Sequence, residues 1–274
     1  MGTLFRITVY AESETVAKDA TAAAFARAHE LDAILSDYKP NSELNRLTRQ
    51  PPGTAVQVSA DLMRVLAASQ QIARASDGAF DVTLGPVIEL WRQARRTGRL
   101  PSESDHRGAL QRTGWRHMHV DTRQSTVRVD IQGMQLDMGG IAKGYAADEM
   151  LKVLKSRGIG QALVAAGGDL RIGEAPPGEN GWRVKLDWTN EQLILANCAV
   201  STSGDTEQRV EIGSERYSHI VDPKTGLGVR RSSPVTIIAP TGLLADPLAT
   251  ALSVMPRGSG NKLGAKFGVT VRRP

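Results

Sequence analysis

The stretch 136–169, LDMGGIAKGYAADEMLKVLKSRGIGQALVAAGGD, constrains the fold more than any other part of the chain. A short apolar run over 134–138 carries one acid, Asp137, and ends in Gly139-Gly140. Ala142, Ala146, Met150, Leu151 and Leu154 then recur at helical spacing. That predicts a helix to about Arg157, stopped by Gly158. A strand over 162–166 leads into the turn Gly167-Gly168-Asp169. Glycines at a helix start leave backbone N–H groups open to an anion. A second Gly-rich turn nearby in sequence would fold back beside the first. Such turns also serve as plain turns, so the residues alone leave both readings open.

At 274 residues the chain suits one large domain or two small ones. Its net charge of +5 suits an anionic ligand or an acidic surface. No Lys/Arg block is interleaved with aromatics, which argues against nucleic acid. The single cysteine, Cys198, excludes an internal disulfide and a cysteine-based metal site. Ala199 and Val200 beside it predict a buried strand position and a core thiol. No apolar run approaches membrane length, so the chain is not itself expected to be transmembrane. No export signal is visible ahead of the first strand, and the residues say little about compartment.

In chain order, 4–10 alternates as a strand and 14–35 is an Ala-rich amphipathic helix. In LSDYKPNSELNRLTR, Ser42 suits the cap of a short helix. Tyr38 and Asn45 fit either a ligand or a capped loop. Ser59 starts a helix over 60–75, and Phe80 and Asp81 fall in a loop after Gly78. Pro86 opens a helix ending near Arg96. The basic run 91–99 reads as a solvated helix end and linker in preference to a phosphate site. Residues 101–114 read as a polar surface excursion. Strands are expected over 118–121, 126–131, 170–172 and 182–186, with a hairpin made by 192–195 and 199–202.

A further hairpin precedes Ser218-His219-Ile220-Val221-Asp222-Pro223, where Asp-Pro-Lys-Thr-Gly is turn chemistry. His219 is expected in a short strand ahead of that turn, where a lone histidine is more often structural than catalytic. A strand over 235–239, a helix over 243–255 and a short helix with an edge strand over 261–273 complete the chain. Hairpins mixed irregularly with helices predict a single α+β domain of largely antiparallel sheets, not a doubly wound parallel one.

Asp246 and Thr250 stand four apart on the last long helix, hence on one face. With a backbone carbonyl they offer the oxygen donors of a hard cation such as Mg²⁺. An acid near a helix start is also favoured by the dipole alone. No His/Cys cluster supports zinc, iron or copper.

The motifs MGT at the start, LSDYKPNSELNRL, GAFDVTLGP, LDMGGIAKGYAAD, AAGGDLRIG, STSGD, YSHIVDPKTG and ADPLATAL occur in one order along nearly the whole chain. In this the chain resembles the ApbE family, the Mg²⁺-dependent FAD:protein FMN transferases. The resemblance implies an α+β fold with FAD, the substrate, in a cleft. It implies cleavage of FAD, attachment of FMN through a phosphoester to a Thr or Ser of an acceptor protein, and release of AMP. The acceptor is expected to carry a short flavinylation motif and to be a subunit of a membrane redox complex. By resemblance, the metal ligands fall on the Gly140 carbonyl, Asp246 and Thr250. Flavin contacts fall on Ala79, Phe80, Asp81, Asp137, Lys143 and His219, with Tyr38 and Gly167-Gly168-Asp169 as additions. Lys143, in the first helical turn, opposes the helix dipole and makes sense facing phosphate.

For the acceptor's proton the candidates are His219, Asp246 and Asp137, and His219 is favoured. A Mg²⁺-dependent FAD pyrophosphatase and a flavin-binding protein without turnover are the alternatives. The chain departs from the family at Leu47-Thr48, where LN is usual, and after SGD, where aromatics are usual and 206–210 is polar. It also reads ADP where ADA is common, with Pro247 expected in the first helical turn. Periplasmic or membrane-associated location is the family's implication, and a cytoplasmic member is the alternative.

Overall fold

The computed structural model describes residues 3–186, 188–204, 209–212, 215–230 and 233–274. Met1 and Gly2 of the MGT motif, Asp205 of STSGD and the polar residues 206–208 lie outside them.

Strand β1 (Phe5–Val9) is followed by α1 (Glu14–Leu35), α2 (Glu43–Thr48), β2 (Val56–Gln57) and α3 (Ala60–Ala75). Then come α4 (Gly85–Thr97), α5 (Glu103–Leu110), β3 (Met118–Asp121), β4 (Thr126–Val129), α6 (Ala142–Ser156), β5 (Ala162–Ala166) and β6 (Asp169–Ile172). Next are β7 (Trp182–Lys185), β8 (Gln192–Leu195), β9 (Ala199–Ser203), β10 (Arg209–Ile212), β11 (Glu215–Ser218), β12 (Val221–Asp222) and β13 (Leu227–Gly228). Finally β14 (Val235–Ala239), α7 (Gly242–Val254), α8 (Gly260–Phe267) and β15 (Thr270–Arg272) close the chain.

Six strands form one antiparallel sheet in the order β1-β5-β6-β9-β14-β15. Period-two alternation splits its side chains between two layers. Ala162, Val164, Ala199, Ile237 and Ala239 face α1, α6 and α7. Leu163, Leu170, Val200 and Ile238 face Trp182 and Val184 of β7. This is the α+β architecture expected.

The local signals act as read. Ser42 and Ser59 accept from the Asn45 and Leu62 backbone N–H groups and start α2 and α3, and Ser13, which the sequence reading did not single out, does the same for α1 through the Val16 N–H. The apolar stripe of α6 is wholly buried. No helix among the described residues is long and apolar enough to cross a membrane.

Three expectations need correction. First, β8 and β9 do not form a hairpin. β8 pairs with β7, with Trp182 opposite Leu195, while β9 enters the main sheet between β6 and β14. Burial explains the choice. Ala199, Val200 and Ser201 are all buried, which requires cover on both faces, whereas Gln192 and Ile194 of β8 are exposed. Cys198 accordingly lies one residue ahead of β9, half-buried, not within a strand. Second, His219 occupies the bend between β11 and β12. Third, α7 begins at Gly242, so Pro247 falls in its second turn, where the Leu243 carbonyl loses its helical donor. The 101–114 segment lies mostly at the surface as expected, and holds α5, started by Ser102 accepting from the Asp105 N–H at 3.1 Å and burying Ala109 against Trp91 and Ala94 of α4.

Candidate active site

A cleft of about 370 Å³ opens between the α4–α5 side of the molecule and the start of α6. That size suits a small-molecule site. Tyr38, Ala79, Phe80, Asp81, Asp137, Gly140, Lys143, His219 and Thr250 all line it. Gly167, Gly168, Asp169 and Asp246 do not line it. The two acids lie behind Lys143.

The inner corner is built by two helices that touch. Gly144 of α6 and Gly242 of α7 meet so closely that a Cβ on Gly144 would stand 2.2 Å from the Gly242 carbonyl oxygen. Asp148, one turn along α6, caps α7: its carboxylate accepts from the N–H groups of Gly242 at 2.9 Å and Leu243 at 2.8 Å. Arg171 Nε lies 2.7 Å from the same carboxylate. This cap and crossing bring Asp246 against α6, where Oδ2 accepts from the Gly144 N–H at 3.2 Å. Thr250, one turn on, comes beside Gly140. A Cβ there would stand 3.0 Å from Thr250 Oγ1 and 3.2 Å from the Phe80 ring, so only glycine leaves that space open.

Lys143 does not point at open cleft. Its Nζ donates to the Gly139 carbonyl at 2.7 Å and lies 3.3 Å from Asp246 Oδ2 and 3.4 Å from Asp169 Oδ2. These carboxylates account for a cation that the helix dipole disfavours. Burial opposes its charge, yet Asp246 and Asp169 outweigh it and hold the ammonium well above the usual lysine range. Asp169 Oδ1 accepts from Ser201, and the buried Oδ2 has no hydrogen-bond donor beyond that ion pair. Two buried acids thus share one ammonium. Asp246 is pushed up by burial first and by Asp169 second, against Lys143 and the Gly144 N–H. A corner with one unmet negative charge and the oxygens of Gly140, Asp246 and Thr250 beside it fits a hard divalent cation.

The outer wall holds residues that the sequence reading missed. Arg92 lines the cleft and is not part of a solvated run. Its Nη2 lies 2.7 Å from Asp137 Oδ2 and 2.5 Å from Asp37 Oδ2. Asp137 Oδ1 also accepts from the Gly139 N–H at 2.8 Å. Burial and the neighbouring Asp37 nevertheless push the Asp137 carboxyl up to about 6. Arg95 also lines the cleft, though it is exposed like Arg96 and Arg99. The available signal was the three-residue spacing of Arg92 and Arg95 beside the apolar stripe of Val87 and Trp91.

Asp81 lines the cleft, but its carboxylate is taken up inside the fold. It accepts from Thr83 N–H at 2.8 Å, Thr83 Oγ1 at 2.7 Å and the Trp115 N–H at 2.9 Å. These bonds fix the loop that presents Phe80. Asn45 likewise braces its own loop, donating at 2.9 Å to the carbonyls of Asp37 and Lys39 on either side of Tyr38. His219 is exposed at the cleft, on a bend carried by a separate small core. There Trp91 Nε1 donates to the Gly226 carbonyl at 2.8 Å, tying α4 to the Asp222–Gly226 turn.

A sequence model of the ApbE family matches residues 1–271. The chain belongs to the ApbE family. Among its relatives, the FAD:protein FMN transferase of Chlamydia muridarum is 31% identical over 227 residues, 81% of this chain and 72% of that protein. Two solved ApbE structures share the fold. The apo flavinyl transferase ApbE of Pseudomonas stutzeri superposes with TM-score 0.86 at 31% identity, over 99% of this chain and 87% of that one. The flavin transferase ApbE of Vibrio cholerae gives TM-score 0.86 at 27% identity, over 100% and 90%.

Proposed function

We propose that this ApbE-family chain is a FAD:protein FMN transferase that uses Mg²⁺ to move FMN from FAD to a Ser or Thr hydroxyl of an acceptor protein. The observation that carries the reading is the corner where Asp246 and Asp169 share the Lys143 ammonium directly behind Gly140 and Thr250, which line the cleft. The acceptor oxygen forms a bond to the FMN phosphorus, the bond from that phosphorus to the bridging pyrophosphate oxygen breaks, and AMP leaves with that oxygen.

Phosphoryl transfer asks a protein for position and charge neutralisation more than for covalent help. Gly140, Asp246 and Thr250 would hold the Mg²⁺. Bound there, it would offset charge developing on the leaving phosphate. Lys143 keeps Asp246 and Asp169 in place, and Phe80 with Tyr38 supplies apolar wall for the rings. His219, exposed at the cleft, takes the acceptor's proton, with Asp137 and Asp246 as the other candidates. The acceptor is a protein with a short flavinylation motif, read as a subunit of a membrane redox complex. The enzyme then works in the periplasm or at a membrane surface.

The test incubates the protein with FAD, Mg²⁺ and a family-type acceptor domain and takes intact masses of the acceptor. A gain of one FMN less water, abolished by EDTA, is expected. Free FMN and AMP without an adduct would instead make the chain a pyrophosphatase, and bound FAD without turnover would make it a flavin-binding protein. His219→Ala should slow transfer by about 100-fold or more, the scale of a lost general base, while FAD still binds. Wild-type transfer by that variant would remove His219 from the role.

A further inference from the structure

Nothing in the proposed chemistry requires Arg92, yet its surroundings are the most constrained of any cation on the outer wall. The guanidinium carbon lies 4.2 Å from the centre of the Tyr38 ring. One nitrogen, Nη2, bridges Asp37 and Asp137. The three charged side chains are mostly covered, with exposures of 24% for Arg92, 17% for Asp37 and 14% for Asp137. Tyr38 is 65% exposed. One face of its ring is therefore backed by a guanidinium and the other is open. An exposed aromatic on a loop ordinarily samples several rotamers. Here the loop is braced by Asn45, and the ring is backed by a cation that two acids hold in place.

We propose that Arg92 is a positioning residue that fixes the Tyr38 ring as a platform for a planar heteroaromatic ring of the bound dinucleotide. The planar guanidinium suits this task, because it can pair edge-on with carboxylates while its face stacks on an aromatic ring. Lysine would keep the charge between the acids without offering a flat face. The inference rests on the FAD-using reading above.

The experiment titrates FAD, FMN and ADP separately against wild type, Arg92→Lys, Tyr38→Ala and the double variant. Flavin fluorescence reports on FAD and FMN, and calorimetry on ADP. Melting temperatures are taken in parallel. Arg92→Lys is expected to weaken FAD binding roughly tenfold, the scale of a desolvated cation–ring contact. The KM for FAD should rise in step, with turnover at saturating FAD changed less than about threefold. In the Tyr38→Ala background the same change should cost under about twofold, because residues acting as a unit are not additive. A matching loss for FMN with none for ADP would assign the flavin to the platform. The reverse pattern would assign the adenine.

Wild-type FAD affinity in Arg92→Lys would overturn the inference. So would an equal loss with and without Tyr38, or a loss that simply tracks a lowered melting temperature. If wild type bound neither FAD nor FMN, the functional reading itself would fall. FAD binding by wild type with no effect at Arg92 would sink this inference alone.

Discussion

Asp246→Asn should lower Mg²⁺-dependent flavin transfer by at least about a hundredfold and yet raise the melting temperature of the metal-free protein at pH 8. Both effects have one origin. Asp246 and Asp169 are buried behind Lys143, so two carboxylates face a single ammonium. Burial and Asp169 raise the Asp246 pKa in the fold above its unfolded value near 4. A group whose pKa is raised on folding stabilises fully below the unfolded value. It loses that contribution as pH climbs through the folded one.

The wild-type protein without metal should therefore lose stability, relative to Asp246→Asn, between about pH 4 and neutrality, and the gap should persist above that. Asparagine keeps an oxygen for the Gly144 N–H and leaves Lys143 paired with Asp169 alone. Each kcal/mol gained corresponds to roughly 2–4 °C at this size. Mg²⁺ should raise the wild-type melting temperature and leave the variant unmoved. Thermal scans in EDTA and in Mg²⁺ from pH 5 to 8, with transfer assays alongside, check all three points. A variant that still transferred FMN, or still responded to Mg²⁺, would remove Asp246 from the ligand set. A lower melting point at pH 8 would show that the acid pair carries no strain.

Gly144→Ala should be the most damaging single methyl group in the chain. The added Cβ would meet the Gly242 carbonyl oxygen at 2.2 Å, its carbon at 2.6 Å and Asp246 Cβ at 2.9 Å. The first two atoms are backbone and cannot swing aside, so α6 and α7 must separate. Overpacking of this kind costs about 1–3 kcal/mol or more. Separation would also withdraw the Gly242 and Leu243 N–H groups from Asp148, and Asp246 from the Gly144 N–H. A melting temperature lower by roughly 2–12 °C, on the same scale per kcal/mol, is expected together with loss of the Mg²⁺ response. Gly108→Ala on α5 is the control. Nothing lies within 4 Å of its Cβ, and alanine should be neutral or slightly stabilising there. Equal melting points for wild type and Gly144→Ala would mean that the helices do not touch as described.

What could be read from the sequence is what neighbours in the chain decide. The serine caps and the apolar stripes of α1, α3 and α6 act over four residues, and they were legible nearly to the residue. The strand segments were legible too, because alternation and turn residues are local. Their pairing was not. Whether β8 turns back to β7 or forward to β9 depends on which strand can be covered on both faces. Distance in sequence hid the rest. The cap of α7 comes from Asp148, 94 residues away, so the sequence places the start of α7 one residue late and Pro247 too close to it. Arg92 read as solvated because its partners are Asp37, Asp137 and Tyr38, which lie on other loops. For Lys143 the sequence suggested a facing phosphate, because the carboxylates that pair with it, Asp169 and Asp246, come from distant parts of the chain.

The Gly144–Gly242 crossing also bears on how such a cleft can diversify. Lys143, Asp246 and Thr250 sit on two helices locked together backbone to backbone, whereas Tyr38 and His219 ride on a loop and a bend. Insertions and exchanges in the loop and bend leave the locked pair untouched. A lineage can therefore change which protein it modifies by rewriting the rim around Tyr38 and His219, while the corner of Lys143, Asp246 and Thr250 stays tied to a helix pair that tolerates almost no change.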